Sequence, residues 1–393
     1  MTHTERQKGV ANAHGRPTGK QPITGPLVTL LVILAVPSIS SGATSVDTVQ
    51  LARASDPAFE EQRPRHPRTN PEQERETGSW SLTLDNDLLV PGSRDQDYTY
   101  GISVAATGTR ARDFALSLNT PLTWIDRLTG VEGITNSNVR GHSFEAGIFG
   151  FTPEDKEAKT PLYDDRPYAS LLYLSSSRVQ VDPARQVAWH SSLTVGAMGL
   201  DLAGDIQNGV HKVIGSDRAE GWEHQVSDGG EPTFRYAVAR QKILPVSTNH
   251  LEVKSTVEGS LGYLTEARWS LSFRAGRLHT PWWQTSPELA HYGERNNATA
   301  MSQDHEHYLW GGIALVGRAY NAFLQGQFRG SEVSYDSDEV NHGVAEAWLG
   351  YTWAFNDGYR LSYVLRGHTS ELKDGVGDRN VLWGGLVFAK TFD

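Results

Sequence analysis

From residue 79 to residue 392 the chain repeats one pattern. Runs of about ten residues alternate apolar and polar side chains, carry many aromatics and glycines, and end in turn signals. The period is plain in Trp80, Leu82, Leu84 and again in Trp269, Leu271, Phe273, Ala275. Two-residue spacing sends one set of side chains to lipid or core and the other inward. Beyond residue 43 no stretch reaches the roughly 18–20 apolar residues of a spanning helix, so a helical membrane protein is excluded. A membrane-spanning barrel is not, because alternating strands keep mean hydropathy low.

Thirteen such runs can be marked: Trp80–Val90, Tyr98–Thr107, His142–Phe151, Tyr168–Val179, Val187–Met198, Phe234–Leu244, Leu251–Tyr263, Arg268–Leu278, Tyr308–Arg318, Ala322–Phe328, Val344–Phe355, Tyr359–Gly367 and Val381–Phe392. A barrel with both termini at one end needs an even number. Tyr308–Phe328 holds two runs separated by barely a turn, so one of them is the surplus and twelve strands are expected. The fold class is then all-β, an antiparallel transmembrane β-barrel of about twelve strands. Short links are read at Val181–Gln186, Pro245–His250 and Asn356–Gly358, as periplasmic turns. The long polar links Thr152–Pro167, Leu200–Thr233, His279–His307 and Gly330–His342 are read as outer loops. Thr120–Val139 is long yet falls on the periplasmic side.

The beginning of the chain has a different texture. Arg6, Lys8, Arg16 and Lys20 precede an apolar core from Leu27 to Pro37, and small residues from Ser38 to Ala43 follow. This reads as an export signal over residues 1–43. Residues 44–76, rich in Arg, Glu and Pro, cannot bury enough surface to offset their ordering entropy and read as a flexible leader. Residues 77–393 form the barrel domain. The chain is expected in the outer membrane of a Gram-negative cell.

Composition narrows the chemistry. With 36 Lys and Arg against 46 Asp and Glu, the formal net charge is −10, which argues against a nucleic-acid partner. There is no Cys, hence no disulfide, thiolate nucleophile or Cys-ligated metal. No Gly-x-Ser-x-Gly elbow and no His-Glu-x-x-His motif occur, so neither a serine hydrolase nor a zinc protease has support.

Three groups could carry chemistry. In one outer loop, Ile206, Val210, Val213 and Ile214 share a helical face, and Gly215 stops the helix. On this short amphipathic helix Gln207 and His211 are i, i+4 neighbours. The amide can orient an imidazole or polarise a carbonyl, and a neutral His can take a proton from water; the alternative is a His on a solvated loop. The second group is Asp85-Asn86-Asp87 with Asp95, Asp97 and Thr99, hard oxygens around one hairpin that suit calcium. An acidic tip whose Asp and Asn side chains simply make the turn is the competing reading. In the third, Asp164-Asp165-Arg166-Pro167-Tyr168-Ala169, Arg166 reads as an anion clamp or, better, as a structural ion pair where a loop enters a strand.

Taken in order, these pieces resemble the lipid A 3′-O-deacylases of the Gram-negative outer membrane. The carrying residues are Leu84-Asp-Asn86-Asp87, Asp97-Tyr-Thr99-Tyr-Gly101, Phe151-Thr-Pro153, Asp164 to Ala169, and Gln207-Asn-Gly-Val-His211-Lys with Gly221-Trp222 and Gln225. Asn321-Ala-Phe-Leu324 follows late in the chain, and the likeness spans essentially all of it from Trp80. The resemblance implies a site at the outer rim, between the wall and a loop helix. A calcium ion there would polarise an ester carbonyl while a His activates water. It implies His211 as general base, Gln207 as orienting amide, Asn86 and Thr99 beside the substrate carbonyl, and Asp87 and Asp217 at the metal. The substrate would be lipid A of the outer leaflet and the protein a monomer in the membrane. Two positions depart from the family pattern: Asp217 stands where a Glu is expected, and Gly147 is followed by Ile148 rather than Gln. Lys156 and Lys159 are the candidates for a family lysine. Two other readings remain, a barrel that binds or transports, with Arg268, Arg274 and Arg318 lining its lumen, and an inactive structural homologue.

Overall fold

The computed structural model describes residues 74–90, 96–133, 139–214, 217–295 and 302–392. Twelve strands close into one antiparallel barrel: β1 Ser79–Asn86, β2 Asp97–Thr107, β3 Val139–Thr152, β4 Ala169–Asp182, β5 Val187–Met198, β6 Glu231–Ile243, β7 Leu251–Gly262, β8 Leu264–Arg277, β9 His307–Asn321, β10 Gly343–Ala354, β11 Tyr359–His368 and β12 Val381–Thr391. Each strand pairs with its neighbours in sequence, and β1 closes on β12 from Ser79↔Thr391 to Asn86↔Gly384. Closure leaves no edge strand and satisfies the ladder internally, as a bilayer requires. The thirteenth run is resolved where it was suspected: Ala322–Gln325 is a single helical turn, capped by the Asn321 side chain accepting from the Phe323 amide at 3.0 Å. The export signal and the leader up to residue 73 lie outside the described residues. Residues 74–76, read as the end of that leader, are pinned: the amides of Thr109 and Arg110 donate to the carbonyls of Arg75 and Glu76 at 3.0 Å, and Glu74 meets His142 at 2.8 Å.

Alternation sorts the wall as the pattern predicts. Leu84, Trp269, Ile313, Leu349, Tyr351 and Trp353 are exposed on the outside, while Arg268, Ser270, Ser272 and Arg274 are buried inside. Apolar-out and polar-in is the arrangement of a barrel whose solvent is lipid.

One loop assignment fails. The link between β7 and β8 is the single residue Tyr263, so the described residues 278–295 and 302–306 fall at the end of the barrel that holds the two termini and not among the outer loops. Nor do they stay in solvent. The segment folds into the lumen, where Glu288 pairs with Lys254 at 2.9 Å and accepts from Gln241 at 2.7 Å. His291 meets Glu258 at 2.9 Å, the Tyr173 hydroxyl donates to the Gly293 carbonyl at 3.0 Å, and Glu294 pairs with Arg235 at 3.2 Å. Glu288, His291 and Glu294 read as loop residues in sequence because these partners lie on β6 and β7.

Above this plug the lumen is filled by aromatic rings. Tyr98, Phe149, Phe151, Tyr173, Tyr263, Tyr292, Phe323 and Trp383 form one buried cluster, with Tyr292 of the plug 5.4 Å from Tyr98 and 4.8 Å from Phe151. The three arginines expected from the sequence to line the lumen are each neutralised: Arg268 by Glu346 at 2.5 Å, Arg274 by Glu252, Arg318 by Glu266 at 2.7 Å and by Glu371. A transport barrel needs a wet, continuous lumen, and this one is packed at mid-height. Planar-bilayer recordings are therefore expected to show no steady conductance, and discrete open-channel steps from the pure protein would refute the seal.

Candidate functional site

The loop helix exists and spans Leu202–Ile214, two residues longer at its start than the sequence pattern suggests. It does not enter the lumen. Ala203 and Ile206 pack with Tyr100, Ile102 and Ile148, which sit on the outward faces of β2 and β3. The Tyr100 hydroxyl donates to the Ala203 carbonyl at 3.3 Å. Tyr100 reaches that far because it lies across Gly150, where an added Cβ would meet the Tyr100 ring at 2.8 Å. Ile148, where the family pattern has Gln, is explained by the same packing: an apolar residue seals the helix to the wall.

Glycine inside a helix costs roughly 0.5–1 kcal/mol relative to alanine, so Gly204 needs a reason. It makes room for the Trp222 ring, which a Cβ would meet at 2.9 Å. Trp222 stacks obliquely on Tyr168 at 4.9 Å and donates its indole N–H to Oε1 of Gln207 at 2.8 Å. Gln207 is 3% exposed, and its Nε2 is buried without an acceptor. An amide fixed by its oxygen and idle at its nitrogen is a donor waiting for an acceptor, since a buried N–H without one costs about 1–3 kcal/mol. The Gly221-Trp222 motif alone gives Trp222 no task; the glycine inside the helix is the sequence signal for one.

At the rim of β1, Asn86 caps the short turn Asp87–Leu89. Its Oδ1 accepts from the Leu88 amide at 2.7 Å and its Nδ2 donates to the Thr99 carbonyl at 2.6 Å. Thr99 sits in a β-bulge of β2, its hydroxyl 2.7 Å from that of Thr152. Asp87 is buried, and its Oδ2 accepts from the Gln96 amide at 2.6 Å. Asn86 is the register partner of Tyr100. The hairpin tip and the helix therefore share one flank of the barrel, joined through Tyr100. Gln207 lies one helical turn beyond Ala203 and His211 one turn further, about 12 Å along the axis from Ala203. The side chain of His211 lies outside the described residues. Asp217 is exposed, just past the helix.

The oxygen-rich hairpin is less of a cage than its composition suggests. Asp85 points into the lumen, paired with Arg295 and hydrogen-bonded by Tyr98 at 3.2 Å. Asp97 is held by Arg379 at 2.9 Å and Arg166 at 3.5 Å, and Asp95 lies outside the described residues. Alternation along β1 separates Asp85 from Asn86, which sequence proximity alone hides. Among the described residues no group of three or more His, Asp or Glu is placed to hold a metal. Calcium takes six to eight oxygens, so a cation here would take Asp87 as its rim carboxylate and draw further oxygens from water or substrate. The donor set fits in kind, since Asp87, Asn86 and Thr99 all offer hard oxygen.

Arg166 is the structural ion pair that was preferred for it. It is buried against Glu371 and Asp97 and lies 4.8 Å over the Phe151 ring. Of the two candidate lysines, Lys159 is exposed and pairs with Glu220 at 2.8 Å, and the Lys156 carbonyl accepts from Tyr168 at 2.7 Å.

Comparison with known proteins gives the family and the fold. The sequence profile of the family described as outer membrane protein LpxR matches residues 42–392. Among solved structures, LpxR from Salmonella typhimurium is similar at 16% identity and a TM-score of 0.62, over 80% of this chain and 100% of that one. The β-domain of the Bordetella autotransporter BrkA aligns at 8% identity over 81% of this chain and 100% of that one, with a TM-score of 0.36. No curated protein matches by sequence. The chain is a member of the LpxR outer-membrane protein family, the lipid A 3′-O-deacylase family to which its motifs pointed.

Proposed function

We propose that this barrel hydrolyses an ester-linked acyl chain, at the 3′-O position, of lipid A in the outer leaflet. One observation carries the reading: the Gln207 amide is clamped by Trp222 with its N–H group idle, on a helix docked against the lipid-facing side of the wall. The acyl chain of a lipid needs no extraction to reach such a site. Below the rim the outward faces of β1 and β2 present Leu84 beside Ile102 and Leu82 beside Val104, an apolar strip on which the chain can lie.

In this mechanism His211 takes a proton from water as the oxygen attacks the ester carbonyl carbon. The Gln207 N–H donates to the carbonyl oxygen as it becomes an oxyanion. Asn86 and Thr99 fix the rim against which the sugar rests. Collapse of the tetrahedral intermediate breaks the acyl C–O bond, and the imidazolium returns its proton to the departing sugar oxygen. A calcium ion held by Asp87 and Asp217 would supply positive charge beside that oxyanion; Asp217 is the shorter acid for the task and would reach the ion through water.

The decisive experiment is the mass profile of lipid A from a lipopolysaccharide-containing host expressing the protein, with and without a calcium chelator. The expected result is loss of one acyl chain that chelation prevents and added calcium restores. An unaltered profile with the barrel present in the outer membrane would favour an inactive homologue.

A further inference from the structure

The half of the lumen below the plug holds a chamber that is partly open to solvent. It reaches from the plug residues Thr285 to Ala290 down to Ser79, Thr107 and Thr391, at the end that bears the termini. Among the described residues five cationic side chains line it, Lys254, Arg274, Arg295, Arg360 and Arg366, and no carboxylate does. Four of the five have an acid behind the lining: Lys254 has Glu288, Arg274 has Glu252, Arg295 has Asp85 and Arg360 has Glu306.

Arg366 is the exception. It is 6% exposed, its Nη2 donates to the Pro287 carbonyl at 2.7 Å, and its Nε has no acceptor. The charged groups that act on it most strongly include Arg295, Asp85, Arg268 and Glu346. Asp85 is already spent on Arg295 and Glu346 on Arg268. Among the described residues Arg366 alone of the five chamber cations has no carboxylate of its own within ion-pair distance. The Trp348 ring, 5.7 Å from Arg366 and 5.8 Å from Arg268, softens the deficit without cancelling it. Nη1 of Arg274 and Nε of Arg295 are also buried donors without acceptors. An uncompensated buried charge costs several kcal/mol, and a solution anion removes that cost.

We propose that this chamber is an anion-binding site, built around Arg366, for a compact oxyanion of the phosphate class entering from the terminal end. It is separate from the rim and independent of the deacylase reading.

The test is the thermal unfolding of the full mature chain in detergent, titrated with sodium phosphate against sodium chloride at matched ionic strength. A parallel titration uses glycerol phosphate, the headgroup fragment of a phospholipid. Phosphate is expected to raise the midpoint saturably, by about 5 °C at a hundredfold excess over Kd. Arg366→Gln is expected to abolish that rise and, in phosphate-free buffer, to unfold no lower than the wild type, because it removes a charge that lacks a partner. A response to glycerol phosphate alone would assign the site to lipid headgroups; a response to inorganic phosphate alone, to the free ion. No saturable response in the wild type, or an equal one in Arg366→Gln, would overturn the proposal.

Discussion

Replacing His211 with alanine is expected to lower lipid A deacylation by about 10²–10⁴-fold, the usual contribution of a positioned general base, while the barrel still folds. The residue belongs to a helix that leans on the outside of the wall through Ala203 and Ile206. Heat-modifiable migration in gels should therefore match the wild type. The check is the lipid A mass profile at equal amounts of outer-membrane protein. Gln207→Ala should act differently: it removes the acceptor of the Trp222 indole as well as the idle donor, so loosened substrate binding should accompany the fall in rate. If His211→Ala retained full activity, the base would have to be sought elsewhere.

The second large effect is structural. Glu371, in the loop between β11 and β12, is the hub of the network beneath the outer loops. It pairs with Arg166 and Arg318, and it accepts from the Tyr292 hydroxyl at 3.1 Å and the Asn321 amide at 3.0 Å. Glu371→Gln leaves two buried arginines short of a counter-charge and is expected to cost about 3–5 kcal/mol, read as a shift in the urea midpoint of the folded barrel. Burial by itself would raise the pKa of this carboxyl, but Arg166, His368 and Arg318 outweigh it and hold the group well below the ordinary range. A carboxyl depressed in the folded state stabilises fully above its unfolded value, about 4.3. That contribution fades as the pH drops below this point toward the folded value. The wild type should accordingly lose stability on acidification below about pH 4.3, and Glu371→Gln should show a flatter acid limb. An identical acid limb in both proteins would show that Glu371 is not the group responsible.

What could be read from the sequence follows the range of the interactions. Strand alternation is local, so all twelve strands were visible as runs, and the surplus Ala322–Phe328 run stood where the spacing was too tight for a turn. The loop helix was visible for the same reason, as was the pair Gln207 and His211 on one of its faces. What failed was long-range. His279–His307 reads as an outer loop because Glu288, His291 and Glu294 are polar and their partners are remote in sequence. Asp85 and Asp97 were counted with the oxygen cluster because they adjoin Asn86 and Thr99. Only the fold shows that arginines from residues 295 and 379 claim them. The role of Trp222 required knowing that its ring meets Gly204.

The segment that enters the lumen is encoded between β8 and β9, yet much of what it grips belongs to strands laid down earlier: Asp85 on β1, Tyr173 on β4, Arg235 on β6, Lys254 and Glu258 on β7. A cylinder that sealed first would have to admit a string of ions through its mouth, and ions seated first would sit half-wet until the seam came together. Zipping β1 to β12 and drying the interior are thus a single cooperative step, so a weakened seam should leak and unfold at once, with no hollow intermediate between.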